Sequence, residues 1–200
     1  MFEETLTFAR DGNEYIEEYT FEKENLCGLD ASKIEFKDIK FISCVFENCG
    51  FSKSSFYECE FDGCMFVSCD FTDSFWRNCK VSGCKAEGNS FGASHIRDTV
   101  FKNSSFRYSG FTKCVLERVK LTECNFSETA LSELKLKSPV FEKTDFSGAD
   151  FFKTSLKGID LSRCEISGIA VSDTLYELRG CKMDENQAVN VAKILGIKIK

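Results

Sequence analysis

The chain has 200 residues, 42% of them apolar and 29% charged, with a formal net charge of −6. That length suits one domain or one repeat array with its own core; 21 Phe exclude a disordered chain, and the acidic balance argues against a basic nucleic-acid-binding surface. No 18-residue window is free of charge and the N-terminus Met1-Phe2-Glu3-Glu4 has no apolar leader segment, so a cytosolic protein whose 12 Cys stay reduced is expected.

Residues 1–20 read as an N-terminal cap, in which Asp11-Gly12 makes a turn between apolar stretches (Leu6 and Phe8 before it, Tyr15 and Ile16 after it). From Phe21 a period of five takes over. Every fifth residue from Phe21 through Phe36, Phe41, Phe46 and onward to Val171 is apolar, 31 in succession, and the series contains 17 of the 21 Phe. Two residues before each large residue lies a second selected position, mostly Cys or Ser from Cys44 to Cys84 and mainly Ser, Thr, Ala, Val and Ile later, and ten of the 12 Cys fall in that column. The other three positions carry nearly all the charge and Gly. Neither a helix of 3.6 residues per turn nor a long alternating strand fits a step of five. A short extended segment followed by an inward-restoring turn does, and its repetition makes a coil. Gly two residues after the large one (Gly63, Gly83, Gly88, Gly148, Gly158, Gly168) suits corners with unusual dihedrals. The number of pentads per coil stays open, because Cys–Cys coincidences are four at a lag of 15 and four at a lag of 20.

This motif resembles the pentapeptide-repeat family over residues 20–175; Ala149-Asp150-Phe151, Thr144-Asp145-Phe146 and Cys124-Asn125-Phe126 match its common pattern closely. The resemblance implies an all-β solenoid, a right-handed quadrilateral β-helix with about 20 residues per coil, occupying residues 21–175. At the spacing of adjacent strands, nearly eight coils make a rod of about 35 Å.

In residues 176–200 the period stops and a capping helix begins. Asp184 with Gln187 three residues on is an N-terminal capping pair; Ala188, Val191, Ala192 and Leu195 share one face, and Gly196 ends the helix. Ile197 and Ile199 then alternate with Lys as a short strand would. The tail, Met183-Asp184-x-x-Gln187-Ala188 to Leu195-Gly196-Ile197, is similar to that of the quinolone-resistance (Qnr-type) branch. That resemblance implies a homodimer through Ala188, Val191, Ala192 and Leu195. It also implies binding to bacterial DNA gyrase and topoisomerase IV through imitation of duplex DNA. The loops that many members of the branch carry have no counterpart, since the register runs from Phe21 to Val171 without an inserted residue.

Charge is uneven: residues 1–80 hold 17 acidic and 8 basic groups, residues 81–200 hold 15 and 18. With four sides per coil, one side collects Glu47, Glu87, Glu128, Asp145 and Glu165, and the next collects Asp30, Asp70, Asp73 and Asp150. These adjacent sides are the candidate partner-binding surface; the plainer reading is of solvated acids on an interaction scaffold with an unrelated partner. A 35 Å length of duplex would carry about 20 negative charges, well above either side. Ten inward Cys spaced by five do not converge as zinc ligands and read as small, desolvated, inert packing residues. His95, the only His, stands outward with no nucleophile signalled beside it, so no metal, cofactor or catalytic constellation is expected. Tyr57, Phe75, Tyr108 and Phe152 lie in outward columns. Phe75 with Tyr57, beside Arg77 and Arg97, reads either as a partner patch or as a local distortion at Phe75-Trp76. Pro139, in the inward small column, lacks an amide hydrogen, and the ladder is expected to break there.

Overall fold

The computed structural model describes residues 2–12 and 15–198. It is a parallel β-solenoid of four faces, and its register fixes what the sequence left open. Ile16 stands beside Phe36, Phe36 beside Phe56 and Phe56 beside Trp76, so each coil consumes four pentads before the chain returns to the same face. The first face stacks seven three-residue strands, beginning at Tyr15–Glu17 and Glu35–Lys37 and ending at Lys135–Lys137. The second stacks seven more, from Thr20–Glu22 to Val140–Glu142. The third has three (Asn25–Cys27, Val45–Glu47, Met65–Val67) and continues as single bridges such as Lys85 with Ser105, while the fourth is bridges throughout.

The corners explain the period. From Glu18 to Gly158 the second residue after each large one is left-handed, whether Gly (Gly63 at φ 61°) or not (Lys53 at φ 60°, Lys113 at φ 65°). On the fourth face the amide of the next small residue donates to the carbonyl of the large one, as Ser74 does to Phe71 at 3.2 Å. That bond with a positive φ at the third position is a type II turn. Glycine is welcome there but not required, which is why most corners carry polar side chains instead.

The large residues fill the interior as stacked rings. Phe51, Phe71, Phe91 and Phe111 lie face to face with successive centroids 4.9, 4.8 and 4.5 Å apart. The small column does more than pack. Many of its polar members reach a carbonyl of the coil before: Cys44 Sγ donates to Phe21 O, Ser54 Oγ to Ala31 O, Cys59 Sγ to Phe36 O and Asn89 Nδ2 to Phe66 O. A hydroxyl there also accepts from the coil before, as Ser94 Oγ does from Ser74 N at 3.1 Å. Burial raises the Cys114 thiol to about 12, but the thiol column is not uniformly raised: the neighbouring Cys69 thiol one coil on lowers Cys49.

The N-terminal cap departs from the sequence reading. Residues Phe2–Gly12 form a helix, α1, so Asp11-Gly12 closes a helix rather than making a turn between two apolar stretches. Phe2, Leu6 and Ala9, at helical spacing, are buried, and the Phe2 ring sits on Phe21 at 5.0 Å and Phe41 at 5.5 Å. Phe8 belongs to the other side of α1 and is 77% exposed. Phe75-Trp76 causes no distortion: Trp76 stays in register with Phe56 and Ile96, pointing inward, with its indole N–H on Ser74 Oγ at 2.8 Å.

At the C-terminal end, Asp160 bridges Lys182 and a 3-10 turn spans Tyr176–Leu178. Helix α2 follows at Glu185–Ile194 with a complete Asp184–Gln187 capping box, and Gly196 is left-handed beyond it. Ile197 lies in no strand; Ile199, the other half of the expected strand, falls outside the described residues.

Pro139 does accompany a break, by another route than a lost donor. Where the small column precedes the second face, its amide stands outside the ladder, as Cys79 N shows by donating to Thr99 Oγ1 of the next coil. The strand after Pro139 keeps its bond to the coil before, Val140 N to Val119 O at 2.9 Å. What fails is the contact with the coil after. At every fifth position from Lys40, which donates to Tyr19 O, to Ala170, which donates to Ala149 O, the amide reaches a carbonyl of the preceding coil. Among the described residues of that column only Ser155 and Asp160 do not.

Two stability outcomes follow from this packing. Phe2→Ala is expected to lower the urea-unfolding free energy by about 3–5 kcal/mol, and Phe8→Ala to change it by no more than about 0.5 kcal/mol. Cys59→Ser keeps a donor for the Phe36 carbonyl and Cys59→Ala does not, so the alanine variant should be the less stable by about 1 kcal/mol or more in the same measurement.

Candidate protein-binding faces

The third and fourth faces hold the candidate acids, and the repeat sets their directions: the residues flanking each large side chain point outward. Many of them serve their own corners. Asp70 Oδ1 accepts from Thr72 N at 2.9 Å, Asp145 Oδ1 from Ser147 N at 2.8 Å, Asp150 Oδ1 from Phe152 N at 2.9 Å and Glu165 Oε1 from Ser167 N at 2.9 Å. Asp30 does the same with Ser32 and also pairs with Arg10 of α1 at 2.6 Å. The Ser32 and Arg10 hydrogen bonds lower its carboxyl to about 2. This second role is legible in the sequence at Asp30, Asp70, Asp145 and Glu165, each followed two residues later by Ser or Thr, whereas Asp150 meets Phe152. Glu87 accepts from Ser105 Oγ at 2.7 Å. Glu47, Asp73 and Glu128 are exposed, and their carboxylates accept no hydrogen bond among the described residues.

Ion pairing separates the faces sharply. On the first, Glu117 meets Arg97, Arg118 and Lys137, with Arg118 also on Asp98 at 2.6 Å. On the second, Glu60 lies between Lys40 and Lys80, and Glu142 faces Lys120 at 3.2 Å. Among the described residues, Arg10–Asp30 is the one ion pair that touches an acid of the third or fourth face. Their remaining carboxylates keep their field.

Tyr57 and Phe75 do come together on the first face, ring centroids 5.6 Å apart, and His95 continues the row against Phe75 at 5.4 Å. His95 is less solvated than expected, its Nε2 shielded and 3.8 Å from Glu117. Tyr108 and Phe152 point outward beneath the cations of Arg107 and Lys153, 4.8 and 5.1 Å from the ring centroids. No group of three His, Cys, Asp or Glu among the described residues is arranged to hold a metal. No helix there is long and apolar enough to cross a membrane.

On α2 the four expected interface residues do not share one environment. Val191 packs partly against the rod itself, Ala192 is half-buried, and Ala188 and Leu195 are exposed. Sequence reasoning missed the residues that seal this end. Gln187 Nε2 donates to the carbonyls of Leu161 and Cys164 at 2.7 and 2.6 Å. Glu177, buried, accepts from Lys153 N at 2.9 Å and from Ser172 N and Oγ at 3.1 and 2.8 Å. Nothing in a single Glu within Tyr-Glu-Leu signals that role.

The pentapeptide-repeat region model matches residues 54–125 and 94–171, and a model of eight pentapeptide copies matches 34–73. The chain belongs to the pentapeptide-repeat family. Comparison with the curated proteins gives no match. Among solved structures, this pentapeptide-repeat chain is similar to two trypsin-treated variants of QnrB1, a plasmid-mediated fluoroquinolone resistance protein. One aligns at 20% identity and TM-score 0.54, covering 93% of this chain and 98% of that one. The other aligns at 18% and 0.56, covering 92% and 100%. HetL, a pentapeptide-repeat protein involved in heterocyst differentiation regulation in the cyanobacterium Nostoc, aligns at 13% and 0.41, covering 91% and 96%.

Burial pushes the Glu177 carboxyl up, but hydrogen bonds from its own amide, the Ser172 hydroxyl and the amides of Lys153 and Ser172 outweigh it, so its pKa is lowered. A lowered folded pKa contributes stability above the unfolded value, lost as pH falls from about 4.3 through the folded pKa. In urea unfolding, Glu177→Gln should cost about 1–3 kcal/mol at pH 6. The gap to the parent protein should narrow by pH 3.

Proposed function

We propose that this pentapeptide-repeat rod binds a bacterial type II topoisomerase, DNA gyrase or topoisomerase IV, by partial imitation of duplex DNA, and modulates the enzyme or protects it from a quinolone or related poison. The observation that carries the reading is the contrast in ion pairing. Glu60, Glu117 and Glu142 of the first and second faces are neutralised by cations one coil away, whereas the acids of the third and fourth stand almost without counter-cations. A straight, stiff stack of acids along two adjacent faces is complementary to a basic groove that accepts DNA. The QnrB1 likeness in fold agrees with such a shape. Two copies joined through the exposed Ala188 and Leu195 side of α2 would lengthen the surface along the rod axis.

A second reading, a scaffold for an unrelated protein, is favoured by charge density. Glu47 and Glu87 are separated by Val67, and Asp70 and Asp150 by Ser90, Gly110 and Ala130, so the acids are spaced more widely than phosphates.

Supercoiling by purified gyrase, with and without ciprofloxacin, distinguishes the two. The DNA-mimic reading expects an effect at micromolar protein, weakened about tenfold or more when Glu47, Asp73 and Glu128 are changed together to Lys. Reversal of Glu58 on the first face should have little consequence. An unaffected enzyme at that concentration rejects the topoisomerase reading and leaves the scaffold.

A further inference from the structure

Among the described residues, the coil-to-coil ladder opens across two consecutive faces at one place. Residues 135–143, on the first and second faces, and residues 155–163 of the following coil share no backbone hydrogen bond among the described residues. The strands Lys135–Lys137 and Val140–Glu142 are the last in their sheets. By the register of the preceding coils, Leu136, Ser138, Phe141 and Lys143 would donate amides downward, and Ser155 and Asp160 would donate upward; none finds its carbonyl. The neighbouring faces stay closed, with Glu165 N on Thr144 O at 3.0 Å and Ala170 N on Ala149 O at 2.9 Å. The lower coil is instead tied to the cap, Leu156 N to Glu177 O and Leu161 N to Lys182 O. Between the lips lies a cleft of about 570 Å³ whose apolar floor includes Leu136, Phe141 and Ile159. That volume falls within the range of ligand-binding clefts, about 300–1,000 Å³.

We propose that this cleft is a docking site for an extended peptide segment of a partner protein, inserted as one more strand between the two lips, with a large aliphatic residue flanked by carboxylates. The backbone groups favour a backbone: unbonded donors face the gap from both sides at alternate residues, and an extended chain is the partner that satisfies them in series. The apolar floor takes one inward side chain, as the large column does in each regular coil. Charge decides its neighbours. In parallel register, the outward residues of a strand inserted on the first face would lie between Lys135 and Ser155 and between Lys137 and Lys157. Lys135, Lys157 and Arg163 make no ion pair among the described residues, while Glu142 is already paired with Lys120 and Asp160 with the amide and hydroxyl of Ser162. Cross-strand carboxylates are therefore favoured at those two positions. This inference does not depend on the topoisomerase reading, since the acids proposed there lie on the other two faces.

The test uses the full chain and a fluorescent, end-blocked peptide Gly-Glu-Leu-Glu-Gly, read by anisotropy and by amide hydrogen exchange. In the free protein the amides of Leu136, Ser138, Phe141 and Lys143 should exchange far faster than Leu116, Arg118, Leu121 and Glu123 one coil earlier; the peptide should slow them. Lys135→Glu with Lys157→Glu should weaken binding about tenfold or more, as should methylation of the peptide's backbone nitrogens or its replacement by Gly-Lys-Leu-Lys-Gly. Urea unfolding of the double variant checks that these exposed changes leave the rod intact. Protected amides in the free protein, no binding at millimolar peptide, or binding indifferent to the charge reversal or to the methylated backbone would each overturn the proposal.

Discussion

The bond on which this architecture rests begins at the left-handed corner. From Glu18 to Gly148, nearly every such residue turns its amide onto a carbonyl of the following coil, as Lys33 does to Ser52 and Glu128 to Ser147. A non-glycine residue in that conformation costs about 1–2 kcal/mol, so it is held only where the amide has a fixed partner in a desolvated stack. The corner and the ladder therefore require each other. Once the ladder sets a step of four pentads, every outward column becomes a line of side chains about 4.8 Å apart, and ring stacks, charge rows and carbonyl-capping thiols follow from that one spacing.

The same dependence explains both ends. A terminal coil has a full set of ladder groups and no neighbour, and the chain supplies side chains in place of the missing backbone. Lys153, whose carbonyl partner would be Ser172, donates to the Glu177 carboxylate instead. The Leu161 and Cys164 carbonyls find the Gln187 amide. At the other end α1 answers the apolar half of the problem, with Phe2 laid over the rings of Phe21, Phe36, Phe41 and Phe46.

The rod was legible because its period is written in one residue type per pentad, and a column of 31 apolar residues admits no other register. The sequence could not count pentads per coil, since any whole number of pentads keeps Phe inward; only the Phe36–Phe56–Trp76 pairing settles it. At the N-terminus, Leu6 and the exposed Phe8 mimic the alternation of a strand, whereas Phe2, Leu6 and Ala9 carry the helical spacing that the fold obeys. The acids fall on the expected faces, yet their corner bonds to Ser and Thr are invisible to any count of net charge. Glu177 and the cleft depend on contacts between coils, at a point where the Asp160–Lys182 bridge breaks the regular pitch of four pentads, and no local pattern encodes that.

That change of step places two kinds of surface on one rod. Along the third and fourth faces the ladder continues past this point, the backbone is largely consumed, and recognition is left to outward side chains at fixed spacing, a geometry suited to a long charged groove. At residues 135–163 of the first and second faces the ladder is interrupted and the backbone itself is on offer, a geometry suited to a short extended chain. Cations gather at the second surface and uncompensated acids at the first, so the two surfaces are complementary to opposite charges. A stack stiff enough to hold acids in line also holds the lips apart, because the closed faces on the far side, through Glu165 and Ala170, keep the lower coil in place while the ties of Leu156 and Leu161 to the cap leave the near side open.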